Sequence, residues 1–145
     1  MCCGARGGPL FILLVLATTG TCSGPERGGG DGAPLSQAAT LFNQHLRWGS
    51  PMAGLEYVAP EGRDAFLRSV QSSMSMGQVM DVEIQGVRTG PGGDSAEVFV
   101  VFVWTPGDSI TTRSGVLRQT WKRQGKRWQI HAAEAVGEEQ ALFAW

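Results

Sequence analysis

The chain is 145 residues long, 42% hydrophobic and 17% charged, with 12 basic against 13 acidic residues and a formal net charge of −1. That length suits one domain, and the balance is globular rather than disordered. It lacks the basic excess that a nucleic-acid-binding face requires, so no nucleic-acid partner is expected.

Residues 1–22 read in three parts. Residues 1–8 carry one charge, Arg6; residues 10–17 form an unbroken apolar block; residues 18–21 are small. This is the layout of a secretory signal peptide. The block is well short of the ~20 apolar residues that cross a bilayer. Cys2 and Cys3 would leave with the leader, and no cysteine follows Cys22. A lone thiol in an oxidising compartment invites pairing with another chain.

The segment Thr19-Gly20-Thr21-Cys22 resembles the processing site of bacterial lipoproteins, with Thr where that pattern usually has Leu and then Ala or Gly. The resemblance implies that Cys22 becomes the first residue and takes the lipid on its sulfur. Membrane attachment through Cys22 is therefore expected, since several acyl chains anchor stably where one does not. Ser23 follows the cysteine, which by the same resemblance implies the periplasmic face of the outer membrane. Plain secretion into the periplasm and acylation of Cys2 and Cys3 on a cytosolic protein are the alternatives.

Residues 23–34, with five glycines and two prolines, read as a flexible tether of about 20 Å r.m.s. span. The domain is placed at residues 35–136. Ser36 is the expected N-cap of a first helix, with Ala38, Leu41, Phe42, His45 and Leu46 at helical spacing. His45 is expected on the packed edge of that helix. Gly49 ends it, and Ser50-Pro51 starts a second short helix with Met52, Leu55 and Val58 on its apolar side. Pro60 opens a third, with Ala65, Phe66, Ser69 and Val70 on one face, and residues 72–77 are expected to be a loop.

The period then changes from 3.6 to 2. Residues 80–85 alternate as a strand with one wet face. Residues 88–95 turn. Residues 96–104, AEVFVVFVW, are apolar on both faces and read as a central strand. Residues 110–122 and 128–134 form the last two strands, joined by a turn at Gln124-Gly125. Lys122, Arg123, Lys126 and Arg127 are charges at the tip of that hairpin, a phosphate- or membrane-contacting tip being the alternative. The fold class is α+β: N-terminal helices packed on a curved four-stranded antiparallel sheet.

A two-residue turn at Gln124-Gly125 sets Trp121 opposite Trp128, Gln119 opposite Ile130 and Leu117 opposite Ala132. These are expected beneath the helices together with Phe99, Val101 and Val103. The other face then carries Arg118, Thr120, Lys122, Arg127, Gln129 and His131. Val98, Val100, Phe102 and Trp104 are expected to emerge there with Val116, as an apolar patch for a dimer or protein partner.

Residues 41–48 (LFNQHLRW), 57–66 (YVAPEGRDAF) and the closing pair Gln119-Thr120-Trp121 and Arg127-Trp128-Gln129-Ile130 together resemble the nuclear-transport-factor-2-like (NTF2-like) fold, as used in envelope lipoproteins. The resemblance implies a cone of sheet around helices. Enzymes with this cone hold a carboxylate base inside it with Tyr or His beside it. Here the inward strand positions are apolar, so no catalytic residue is assigned. Arg113, Gln119 and Trp121 are the candidate lining of a small apolar-ligand pocket, with packing and a rim salt bridge as the plain alternative. There is no metal-ligand cluster or phosphate loop, and no metal or cofactor is expected. Residues 137–145 end in Leu142, Phe143 and Trp145. They are expected to dock back on the domain, with plugging of the cone or partner binding as the alternatives.

Overall fold

The computed structural model describes residues 33–137 and 140–145. The leader, Cys22 and all of the tether before Ala33 lie outside the described residues. Three helices come first: α1 (Leu35–Arg47), the single turn α2 (Pro51–Gly54) and α3 (Arg63–Met76). Four strands follow: β1 (Gly77–Thr89), β2 (Ser95–Pro106), β3 (Arg113–Gln124) and β4 (Arg127–Val136). They form one sheet in chain order, every neighbouring pair antiparallel. The fold class read from the sequence is the one observed.

Helix α1 starts one residue before the expected cap. Pro34 is its N-cap, and no side chain satisfies the first N–H groups. Its stripe Ala38, Ala39, Phe42, Leu46 is buried because it lies across the inner face of the sheet. Gly49 ends it in the left-handed region, at φ +69°, where a side chain is disfavoured.

The expected loop at residues 72–77 is helix instead. Helix α3 runs to Met76, and β1 begins at the next residue. The serines of this helix, Ser69 before that range and Ser73 within it, are small rather than loose. Ser69 and Ser73 are buried, Ser69 Oγ donates to Phe66 O at 2.8 Å, and Ser73 Oγ accepts the N–H of Phe143 at 2.7 Å. Small side chains let α3 sit close to its neighbours, and packing overrides their weak helix preference.

The β3–β4 turn lies one position further on than expected. Gln124 pairs with Arg127, so the two-residue loop is Gly125-Lys126. Gly125 has φ +61° and takes the first central position, as a type II′ turn prefers. Trp121 therefore faces Ile130, and Arg123 faces Trp128. Beyond them the register shifts between Thr120 and Trp121, so Gln119 faces Ala133 and Leu117 faces Ala135. His131 is the extra residue of that bulge. It leaves the outer row expected for it and turns to Glu61, with Nδ1 and Oε1 2.8 Å apart.

The larger correction concerns β2. Val98, Val100 and Phe102 are fully buried and Trp104 nearly so. They lie beneath the helices, opposite Gln119, Leu117, Gly115 and Arg113. Phe99, Val101 and Val103, expected inside, are on the outer face and half-buried. The strand is apolar on both faces, so hydrophobicity alone does not orient it; its pairing with β3 does.

The tail closes the core. Leu142 and Phe143 are buried, and the Phe143 ring packs on Phe102 at 5.4 Å. Trp145 pairs with the free edge of β4: its N–H donates to Ala133 O at 2.6 Å, and its carbonyl accepts from Ala133 N at 3.0 Å. Ala59 N–H donates to Ile130 O at 2.9 Å on that same strand. Both contacts use edge groups that would otherwise template pairing with another chain.

Candidate functional site

Large side chains fill the centre of the space between helices and sheet. Phe42 stacks edge-on against Trp121 at 5.7 Å and packs on Phe66 at 5.8 Å. Leu117, Ile130 and Leu142 complete the layer. Among the described residues the buried polar side chains are Asn43, Ser69, Ser73 and Gln119. None of these four ionises; the ionisable side chain buried with them is Tyr57.

Two of the three expected pocket residues meet here. Gln119 Nε2 donates to Asn43 Oδ1 at 2.7 Å, and Asn43 Nδ2 donates back to Gln119 Oε1 at 3.2 Å and to Ala39 O at 2.8 Å. Trp121 Nε1 donates to Gln119 Oε1 at 3.3 Å. This network satisfies each buried amide and ties α1 to the sheet. Arg113 is not part of it. It lies six positions along β3, about 20 Å away at strand rise, exposed beside Ser114 and Gln140.

Tyr57 is also buried. Its phenol pKa is raised above the ordinary value of 10, first by burial and then by the nearby Glu56 carboxylate. Among the described residues no group of three or more His, Cys, Asp or Glu is placed to hold a metal ion. No described helix is long and apolar enough to cross a membrane.

The outer face of the sheet has a different character. One row across all four strands reads Glu83, Val101, Val116, Val136. The next reads Gly86, Phe99, Arg118, Glu134, and Val103 lies beside Asp81 and Ser114. The apolar strip Phe99, Val101, Val103, Val116 and Val136 thus crosses the sheet with charges beside it. Arg118 pairs with Glu134 and lies 3.9 Å from Glu97. Arg88 pairs with Glu97 at 3.2 Å and its guanidinium lies 5.4 Å from the Phe99 ring centroid.

Val98, Val100, Phe102 and Trp104, expected as an exposed patch, are thus core residues, and the alternate set of β2 is the one on the outer face. The missed signal is in the strand itself. Ser95, Glu97 and Thr105 share parity with Phe99, Val101 and Val103, whereas Ala96 to Trp104 at even positions are all apolar. The polar members mark the odd set as the outer one.

No family model matches the chain, and no curated protein matches it. Solved structures do. A SEC-C motif containing protein from Rhodopseudomonas palustris matches with TM-score 0.58 and 18% identity, over 69% of this chain and 77% of the other. An NTF2-like protein of unknown function from Shewanella oneidensis matches with TM-score 0.50 and 14% identity, over 69% and 93%. A structure described as a calcium/calmodulin-dependent protein kinase II association domain, from Xanthomonas campestris, matches with TM-score 0.52 and 18% identity, over 79% and 100%. At these identities the likeness is one of fold. The chain has the NTF2-like α+β fold, shared with a neighbour whose function is unknown.

Proposed function

We propose that this chain is a lipid-anchored envelope protein whose NTF2-like domain is an interaction module rather than an enzyme, and that its outer sheet face pairs with the same face of a second copy. The carrying observation is the apolar strip Phe99, Val101, Val103, Val116 and Val136 on the sheet face turned away from the helices. A two-fold dimer requires a self-complementary patch. This face carries Arg88 and Arg118 among Glu83, Glu97 and Glu134, so a rotated copy can set each cation against a carboxylate. One of the folds it resembles is described as an association domain. The anchor reading is supported by the leader layout and by Cys22 being the last cysteine of the chain.

Self-association is tested by sedimentation of the wild type and Val101→Lys. A dimer that the substitution converts to monomer, with an unchanged far-ultraviolet spectrum, is expected; the wild type alone should show a concentration-dependent Tm. A wild type that stays monomeric at hundreds of micromolar sinks the dimer. The anchor is tested separately, by intact mass of membrane-extracted protein against Cys22→Ser. A mature mass beginning at Cys22 and carrying acyl chains is expected; identical, unmodified masses remove it.

A further inference from the structure

A second feature, independent of the sheet-face reading, lies where the C-terminal ends of α1 and α3 meet the start of β1. A cleft of about 480 Å³ opens there, within the range of small-molecule sites. Its rim holds three large apolar side chains that the fold leaves in water: Trp48 is 72% exposed, Met74 63% and Met80 48%. Exposed apolar groups gathered on one concavity are uncommon without a ligand or partner. Methionines suit a flexible apolar guest, because the thioether chain adapts its shape.

Two local departures from regular structure shape this cleft. The β1–β2 register shifts between Val79 and Asp81, so Met80 is an extra residue. Consecutive strand side chains normally point to opposite faces; the bulge lets Val79 and Met80 both line the cleft. Phe143, also in the lining, is the one described non-glycine residue at positive φ, +60°. A bulky residue in that region is strained, and such strain gathers at functional sites. It is held there by the hydrogen bond from its N–H to Ser73 Oγ.

The lining contains one charged side chain, Arg47. It stacks 5.0 Å from the Trp48 centroid, donates to Met80 O at 3.3 Å and lies 3.3 Å from Asp81. Those contacts place the guanidinium on the wall and leave N–H donors of its fork for another acceptor. Asp81 is the exposed member of its pair with Arg47, at 62% against 36%, so water weakens its hold on the guanidinium.

We infer that this cleft binds an anionic amphiphile of the fatty-acid class, its chain against Trp48, Met74 and Met80 and its carboxylate on Arg47. An anionic phospholipid offers the same pairing of apolar chain and anion, with its phosphate in place of the carboxylate. The test is calorimetric titration of the full-length Cys22→Ser chain with laurate below its micelle concentration, with dodecylamine as the cationic counterpart and phosphatidylglycerol vesicles as the second source. Saturable one-to-one binding of laurate is expected. Arg47→Gln should weaken it about tenfold, the equivalent of one charge-assisted hydrogen bond. Met74→Glu, on an exposed side chain, should abolish it while the far-ultraviolet spectrum stays unchanged. Binding to vesicles that Met74→Glu removes identifies a membrane lipid as the source, and vesicle binding unaffected by it assigns the site to the free acid. No saturable laurate signal, equal binding of dodecylamine, or undiminished binding by Met74→Glu overturns the inference.

Discussion

Gly62→Ala probes the closure of the core by the tail. Gly62 has φ −93° and ψ −9°, a backbone that alanine adopts freely. An added Cβ would overlap Trp145 Cζ3 and lie 2.9 Å from Cη2, with His131 O at 3.3 Å. Carbon atoms pack at about 3.5–4.0 Å, so the indole must move. Its displacement breaks the two Ala133–Trp145 backbone hydrogen bonds, worth about 0.5–1.5 kcal/mol each. It also breaks the edge-on contact with Phe66 at 5.8 Å, worth about 0.5–1.5 kcal/mol. Two terms offset this. Trp145 Nε1 is buried with no partner, and release to water restores its hydration. Replacing Gly by Ala also stabilises by about 0.4–1 kcal/mol through the unfolded chain. The net loss is about 1–2 kcal/mol, close to the usual cost of overpacking. For a domain of this size that is a fall in Tm of roughly 4–16 °C. The assay is thermal unfolding of Gly62→Ala, Trp145→Ala and the double variant. In the Trp145→Ala background Gly62→Ala should stabilise slightly, because the clash has gone. Equal destabilisation by Gly62→Ala in both backgrounds would refute the assignment of the clash to Trp145.

Other outcomes follow from the interior. Asn43→Leu leaves Gln119 Nε2 without its acceptor and should cost about 1–3 kcal/mol in urea unfolding. Gln119→Leu strands both Asn43 Oδ1 and Trp121 Nε1, so its cost should be roughly double; equal costs would contradict the network. Tyr57 is the single tyrosine of the chain, so its ionisation can be followed directly by ultraviolet absorbance. The midpoint should lie above 10 in the folded protein and fall on denaturation. Because the fold favours the neutral phenol, its contribution is complete below the unfolded pKa and is lost as pH rises through the folded one. A folded midpoint at or below the denatured one would reverse that sign. Leu142→Ala removes a fully buried side chain and should cost about 2–5 kcal/mol; a loss below 1 kcal/mol would mean that the tail is not part of the core in solution.

Element order and fold class were legible in the sequence because they rest on period. The stripe Ala38, Phe42, Leu46 and the alternation from Met80 report their elements without tertiary context. What sequence could not supply was set by partners. Residues 72–77 read as a loop because serines favour turns in isolation; only contact with the tail makes Ser73 a helix residue. Asn43 gave no signal, since its meaning depends on Gln119, 76 positions away. The cleft escaped notice because it needs a bulge at Met80 and a strained Phe143, neither of which has a sequence pattern here.

The strand errors differ in consequence, and the difference is one of parity. Moving the β3–β4 turn from Gln124-Gly125 to Gly125-Lys126 slides the partner by two residues, which leaves Trp121 and Ile130 inside because side chains alternate with period two. The bulge at His131 is a single insertion, and beyond it Ala133 rather than Ala132 is buried. For β2 the error was likewise of odd parity and exchanged the whole strand's faces, turning core residues into a supposed interface. Glu97 alone would have prevented this. A carboxylate on a central strand must reach water or a cation, and its ion pairs with Arg88 and Arg118 lie on the face opposite the helices. In a strand apolar on both sides, the single charged residue is therefore a better guide to orientation than all the hydrophobic ones. The surface proposed for self-association follows from that residue: Phe99, Val101 and Val103 lie outside because Glu97 must.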